Sequence, residues 1–224
     1  MYIQQTAPVI YYTYYNTPLP AAHFSWLLKM LPEQMREKIC KFRRWEDAHA
    51  SLLGRLLLLQ ALAKANCEQA INNIAYTNYG RPYIPGMPDF SISHSGHLVV
   101  CAVGATGRIG IDVEMHAPIQ VAEYCNQFSA EEWCNIQHAG DPELVFYKYW
   151  TKKEAILKAD GRGISLSLSS LHVAENEIAC LDGRKWYVNT VDVFENYSCH
   201  FGSDIKHHQY ALMKVDFVGA KMPV

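Results

Sequence analysis

Between Arg43 and Ala65 the chain has no proline, and Trp45, Ala48, Leu52, Leu56, Leu59 and Ala63 recur at three- and four-residue steps. Apolar residues at that spacing fall on one side of an α-helix, so the run predicts a long core helix against which the rest of the chain must be arranged. Upstream, Val9-Ile10-Tyr11-Tyr12-Thr13-Tyr14-Tyr15 is rich in β-formers and is closed by Pro18 and Pro20, which predicts a strand. Between the two, Arg36, Lys38, Lys41, Arg43 and Arg44 crowd a short stretch that by pattern alone reads as a solvated basic face.

Past the long helix, Gly80, Pro82, Pro85, Gly86 and Pro88 predict a loop over 78–89. Phe90-Ser91-Ile92-Ser93 and Leu98-Val99-Val100-Cys101-Ala102-Val103 predict two strands joined by a turn at His94-Ser95-Gly96-His97. In Ile109-Gly110-Ile111-Asp112-Val113-Glu114, strand alternation puts the two isoleucines and Val113 on one face and Asp112 beside Glu114 on the other. A short helix is predicted near Val121 to Asn126, and a second opens at Ser129 with Glu132 at the capping-box position. A third runs from about Glu143 to Ala159 and ends at Gly161 and Gly163. From Ser165 onward the chain reads as strands with turns at Asp182-Gly183 and Gly202, and Tyr210-Ala211-Leu212-Met213-Lys214-Val215 echoes Leu98 to Val103. Each half thus runs helix first and strands after. This suggests an α+β fold of two similar lobes, residues 1–105 and 106–224, meeting near Ala105 to Arg108.

The 224 residues are half hydrophobic, enough to bury a real core. With 20 basic against 22 acidic residues the net charge is -2, which argues against any general attraction to nucleic acid or to an anionic membrane; an anion site must be local. No apolar run is long enough to span a bilayer, and Met1 to Tyr15 lacks the basic and apolar regions of a signal peptide. The seven cysteines form no C-x-x-C pair and are odd in number, so they read as reduced. A cytoplasmic protein is expected, and two lobes in one chain make a monomer sensible.

The chemistry gathers in the second half. Adjacent carboxylates repel unless something positive lies between them, and a hard divalent cation is the commonest remedy, although a solvated acidic pair on an edge strand is also ordinary. On the third helix Phe146, Tyr149, Trp150, Ile156 and Leu157 form the apolar stripe, Lys153 falls near its middle, and Glu154 and Lys158 stand at i and i+4 along its margin. An unpaired ammonium in such a stripe is costly unless it snorkels or meets an anion, while the Glu154 and Lys158 spacing is equally that of a common surface pair. Asp112, Glu114 and Glu154 offer the oxygen donors that Mg2+ prefers around a pyrophosphate, with Lys153 and Lys158 to neutralise the remaining charge. His94, in its turn, is placed either to meet a phosphate oxygen or simply to be exposed. His200, His207 and His208 lack a cysteine or carboxylate at zinc-ligand spacing. The motifs G-x-x-x-x-G-K-S/T, G-x-G-x-x-G and G-x-S-x-G do not occur.

Four segments in order, Gly80-Arg81-Pro82, Phe90-Ser91-Ile92-Ser93-His94-Ser95-Gly96, Gly110-Ile111-Asp112-Val113-Glu114 and Trp150-Thr151-Lys152-Lys153-Glu154-Ala155-Ile156-Leu157-Lys158, resemble the Sfp-type 4'-phosphopantetheinyl transferases. Arg36-Glu37-Lys38 through Glu46-Asp47-Ala48-His49 resembles that family's amino-terminal half. The resemblance implies a pseudo-dimer of two similar α+β lobes with the active site in the cleft between them. It also implies Mg2+-dependent transfer of 4'-phosphopantetheine from coenzyme A to a serine of an acyl or peptidyl carrier protein, with release of 3',5'-ADP.

Carried over by position, Asp112, Glu114 and Glu154 would hold the metal, and Glu154, Lys158 and His94 would be the catalytic residues. Lys38, Lys41, Arg81, Ser93, His94, Lys153 and Lys158 would hold the coenzyme, with Lys38 and Lys41 facing its 3'-phosphate. Glu154, directly or through a water, would take the serine proton, and residues 116–128, Val121 and Tyr124 among them, would help dock the carrier. Arg81 stands where many members carry lysine and keeps the charge with a wider donor fork; Ala155 stands where some carry serine. Two rivals stay open at this point: a module that only binds coenzyme A or a carrier, and a metal-dependent phosphoesterase with water as nucleophile.

Overall fold

The computed structural model describes residues 7–104, 106–174 and 177–219, so the expected lobe boundary at residue 105 lies outside the described residues. β1 (Val9–Tyr14), α1 (Ala21–Leu28) and α2 (Glu33–Ile39) lead into α3 (Trp45–Lys64), the long helix that the spacing predicts. A small hairpin of β2 (Ala75–Tyr76) and β3 (Pro82–Tyr83) precedes β4 (Phe90–Ser95), β5 (Leu98–Val103) and β6 (Ile109–Met115). The second half adds α4 (Ala130–Gln137) and α5 (Pro142–Asp160). It closes with β7 (His172–Val173), β8 (Ile178–Leu181), β9 (Arg184–Thr190), β10 (Tyr197–Ser203) and β11 (Ala211–Lys214).

Two main sheets carry the longer strands, in the orders β11-β1-β5-β4 and β6-β10-β9-β8-β7. α3 covers one face of the first sheet, burying Leu52, Leu53 and Leu56 with Val99 and Cys101. Alternate residues of β1 and β5 point the other way, so Ile10, Leu98 and Val100 pack against Ile109, Ile111, Val113 and Phe201 of the second sheet. On its far face that sheet is covered by α5, where Ile156 and Leu157 meet Trp186 and Val188. The order of layers is helix, sheet, sheet, helix: an α+β protein of two lobes, each with one long helix on its sheet. Every large aliphatic side chain taken fully out of water here is worth about 1.5–3 kcal/mol.

β6 shows how the sequence places chemistry on this frame. Ile109, Ile111 and Val113 are fully buried between the sheets, which turns Asp112 and Glu114 toward α5. Gly110 shares that face, and α5 lies so close that a Cβ on it would sit 2.1 Å from the Ala155 carbonyl oxygen and 2.4 Å from the Ala159 nitrogen. Its cross-strand partner is Gly202 on β10, where a Cβ would come within 3.0 Å of Ile156 Cγ1. The turn expected at Gly202 is therefore a strand interior, in which glycine makes room for a helix instead of bending the chain.

Other expectations are also revised. His94 belongs to β4 because Ser95 pairs with Leu98, and the hairpin loop shrinks to Gly96-His97 with Gly96 at φ +53°. The helix predicted near Val121 is a 3-10 segment, Val121–Gln127. Ala211–Lys214 joins the first sheet, parallel to β1, while β5 flanks β1 antiparallel on its other side. The echo of Leu98 to Val103 thus marks two neighbours of one strand, and the end of the chain crosses back to the first lobe. The capping box forms as expected, with Ser129 N–H donating to Glu132 Oε2 at 2.8 Å and Glu132 N–H to Ser129 Oγ at 3.2 Å.

Two predictions come from the packing of α5 on β6 and β10. Gly110→Ala should cost about 3 kcal/mol or more in urea unfolding, because backbone and not a flexible side chain would have to move. His200 is 2% exposed, and its Nδ1–H donates to Thr151 Oγ1 at 2.7 Å, since the Thr151 hydroxyl itself donates to the Tyr147 carbonyl. Burial, then Lys152 and Lys148, hold its pKa down to about 3. The unfolded chain takes up that proton near pH 6.5 and the folded chain does not, so stability should fall as pH drops from about 6.5 toward 3. Urea midpoints at pH 7.5 and 5 should show that slope, and His200→Gln should flatten it.

Candidate functional site

The site is built along a seam. β4 and β6 lie side by side but belong to different sheets, and side chains bridge them. Ile109 N–H donates to Asp89 Oδ2 at 2.9 Å, Ile111 N–H to Ser91 Oγ at 3.1 Å and Met115 N–H to Ser95 Oγ at 3.1 Å. The serines at 91, 93 and 95 alternate, so strand geometry aims them the same way. Ser93 departs from the series and donates its hydroxyl to Asp112 Oδ1 at 2.9 Å.

Asp112 Oδ1 also meets Lys158 Nζ at 2.6 Å, and Lys158 donates to Ser93 Oγ at 2.8 Å. The other oxygen, Oδ2, is buried and has no hydrogen-bond partner. Glu114 Oε2 accepts from Ser95 Oγ at 2.6 Å. Glu154, one turn before Lys158, lines a cavity of about 350 Å3 together with Ser93, His94, Asp112, Glu114 and Lys158. Lys158 turns to Asp112 across the cavity, and among the described residues no ion pair joins it to Glu154. The ordinary surface pair that the spacing also allowed is not formed.

The electrostatics follow from this crowding. Burial, then the Asp112 charge, pushes the Glu154 carboxyl above the ordinary carboxylate range, with Glu114 adding to the effect and Lys158 opposing it. Burial likewise raises Glu114, against the Ser95 hydrogen bond and with Asp112 adding. His94 lines the cavity and is exposed by area, but the protein packed around it, then the Lys158 ammonium, push its pKa down against the Asp47 and Asp112 charges, which leaves it neutral at neutral pH.

Two carboxyls that resist ionisation beside a buried oxygen with no donor are what a hard cation relieves. Among the described residues no three His, Cys, Asp or Glu side chains are already gathered so as to hold a metal ion: Asp112 Oδ1 faces Lys158 and Ser93, and Glu114 Oε2 faces Ser95. The donor set is nevertheless open and all oxygen, which fits Mg2+, a hard cation that prefers oxygen ligands and keeps several waters. A larger cavity of about 580 Å3 between α3 and the 68–73 turn has Glu68 as its one acidic lining residue, so chemistry and not volume selects the site.

The structure does not bring every expected residue there. Lys153 is fully buried in the carboxy-terminal lobe, where its Nζ pairs with Glu132 at 2.6 Å and donates to the carbonyls of Leu168 at 3.0 Å and Gln127 at 3.2 Å. Its three N–H bonds are used, so the costly ammonium is satisfied within the fold. Arg81 is similarly engaged: Nη1 and Nη2 grip Asp89 at 2.8 and 2.5 Å, Nε donates to the Lys158 carbonyl at 2.8 Å, and Nη2 to the Ile109 carbonyl at 3.0 Å. It ties the end of α5 to the start of β6 beside a cavity of about 280 Å3 that it helps to line. Lys38 lies over the Tyr76 ring at 5.0 Å, and Lys41 is exposed just beyond α2. Tyr124 packs on Phe146 and Trp150, at 5.3 and 5.6 Å between ring centroids, and Val121 joins the same apolar cluster.

Sequence reasoning missed Asp89, Ser91, Ser95 and Trp150, all of which build or line the site. The S-x-S-x-S alternation was the available signal for the two serines.

A family model described as the 4'-phosphopantetheinyl transferase superfamily matches residues 108–212, and one described as 4'-phosphopantetheinyl transferase, N-terminal, matches 17–106. The chain is similar to a 4'-phosphopantetheinyl transferase of Bacillus subtilis, 36% identical over 84% of this chain and 88% of that relative. It is 34% identical to the 4'-phosphopantetheinyl transferase Sfp of Bacillus subtilis strain 168, over 73% of this chain and 75% of the relative. The L-aminoadipate-semialdehyde dehydrogenase-phosphopantetheinyl transferase of Mus musculus is 29% identical over 65% of this chain and 54% of its own length.

Lys153→Met should cost about 3–5 kcal/mol of stability, because it strands Glu132 as a buried charge. Calorimetric titration of the folded variant should show an unchanged affinity for coenzyme A; a specific loss of that affinity would return Lys153 to the ligand set.

Proposed function

The chain belongs to the 4'-phosphopantetheinyl transferase superfamily and transfers 4'-phosphopantetheine to carrier proteins, and we propose that it does so between α5 and the β4–β6 seam, taking the group from coenzyme A and releasing 3',5'-ADP. The observation that carries this reading is the buried, unpartnered Asp112 Oδ2 in a cavity shared with Glu114, Glu154 and Lys158. Asp112, Glu114 and Glu154 would hold Mg2+, which when bound supplies positive charge to the donor's pyrophosphate.

The carrier serine oxygen attacks the phosphorus that bears the pantetheine, and the bond from that phosphorus to the bridging oxygen breaks, its electrons leaving with 3',5'-ADP. Glu154 lines that cavity beside Asp112 and Glu114. It takes the serine proton directly or through one water. Lys158, a third exposed and held at Asp112, offsets the charge that develops on the leaving group. Ser93 fixes Lys158 and Asp112 relative to each other, and the neutral His94 keeps an N–H to donate to a phosphate oxygen. Lys38 and Lys41 lie on the amino-terminal lobe, on the side assigned to the 3'-phosphate, and residues 116–128 beside Trp150 form the carrier's approach. In this reading the protein works as a monomer in the cytoplasm, without nucleic acid, which the shared lining of the site by both lobes of one chain and the net charge of -2 support; no helix among the described residues is long and apolar enough to cross a membrane.

Intact mass spectrometry of an apo carrier protein incubated with this protein, coenzyme A and Mg2+ should show a gain of one phosphopantetheine group on serine. EDTA and Asp112→Ala should abolish the gain, and Glu154→Gln should slow it at least about 100-fold. Release of free phosphopantetheine with no carrier modified would point to hydrolysis instead.

A further inference from the structure

Ser91 and Ser95 share one task on the seam: each accepts a backbone N–H of β6, from Ile111 and Met115, both at 3.1 Å. They differ in where their own hydrogen goes. Among the described residues the Ser91 hydroxyl donates to no protein acceptor. The Ser95 hydroxyl donates to Glu114 Oε2 at 2.6 Å, the length of a charge-assisted bond. A hydroxyl has a single hydrogen to give, and with the Met115 N–H on a lone pair of Oγ, that hydrogen is aimed at the carboxylate.

Ser95 is itself firmly placed. It pairs with Leu98 across the β4–β5 hairpin, and the Gly96-His97 tip lies tight on the carboxy-terminal lobe. A Cβ on Gly96 would sit 2.6 Å from Met115 Sδ, and His97 N–H donates to the Tyr197 hydroxyl at 3.2 Å. A fixed point of one lobe thus grips a flexible side chain of the other, and it is the one hydrogen-bond partner of the Glu114 carboxylate among the described residues. Glu114 Oε1 is left open, as Asp112 Oδ2 is left open where Ser93 and Lys158 take Oδ1.

A glutamate side chain loses rotamer freedom when it binds a cation, and a partner that orders it beforehand removes part of that loss. We propose that Ser95 is the positioning residue of the metal carboxylates: reaching across the seam, it holds Oε2 of Glu114 and so presents Oε1 to the cation. The affinity for the metal then depends on how the amino-terminal lobe sits against β6. This deepens the transferase reading and rests on its metal site.

The experiment compares wild type, Ser95→Ala, Ser95→Thr and Ser91→Ala, each checked for fold by circular dichroism and urea unfolding. Mn2+ is the probe, its free concentration read by electron paramagnetic resonance with coenzyme A present. Ser95→Ala should raise the Kd for Mn2+ about 10- to 100-fold, and the Mg2+ concentration for half-maximal carrier modification by a similar factor. Ser95→Thr, which keeps the hydroxyl, should recover most of the loss. Ser91→Ala loses the same kind of seam acceptor, so its urea midpoint should fall as that of Ser95→Ala does, while its Kd for Mn2+ stays within about twofold of wild type. If Ser95→Ala does not fold, Ser95→Cys, which keeps a side chain of similar size but donates weakly, should show the same shift in Kd. An unchanged Kd in the Ser95 variants, or an equal rise in Ser91→Ala, overturns the inference and leaves Ser95 a bridge of the seam alone. A wild type that binds no Mn2+ with coenzyme A present overturns the metal site itself, and this inference with it.

Discussion

The backbone N–H groups along one edge of β6 have no strand to pair with, and side chains from the β4 segment take them. A backbone donor cannot be left buried and unpaired; Asp89, Ser91 and Ser95 meet that requirement for Ile109, Ile111 and Met115. Because each bridge spends a side chain where a ladder would spend a carbonyl, the two sheets are joined without becoming one. The join leaves space above Ser93, and there the hydroxyl that would continue the series reaches Asp112 and Lys158 instead. The device that unites the lobes therefore also opens and lines the cavity between them.

A second constraint sets the depth of that cavity. Gly110 and Gly202 face each other across β6 and β10, and the absence of two Cβ atoms lets α5 lie on the sheet at backbone contact. Only at that distance do Glu154 and Lys158 reach the carboxylates of β6. Arg81 then fixes the end of the helix by donating from one guanidinium fork to the Lys158 carbonyl, the Ile109 carbonyl and Asp89.

The cations consequently divide into two groups. Arg81 and Lys153 are enclosed by acceptors of the chain itself, and their charge holds the architecture together. Lys158 stands apart, shared between the protein and the cavity. Carboxylates divide in the same way: Glu132 and Asp89 are paired with cations, while Glu114 and Glu154 are crowded together without one, and their carboxyls resist ionisation.

Sequence by itself determined the elements whose signal is local. The apolar spacing of α3, the capping box at Ser129 and the alternation of β6 each depend on residues within a turn or two, so all three could be read directly, and so could the shared face of Asp112 and Glu114. It also placed Glu154 and Lys158 one turn apart on a helix. What it did not determine was which partners distant residues find. Gly202 looks like a turn until a helix is seen to pass over it, and His94 looks like a loop residue until Ser95 pairs with Leu98. Lys153 and Lys158, five residues apart on one helix, point about 140° away from each other, but register alone names no partner for either. Only the tertiary structure sends one into the lobe to Glu132 and the other across the seam to Asp112, because a buried ammonium must end on whatever acceptor the packing brings within reach.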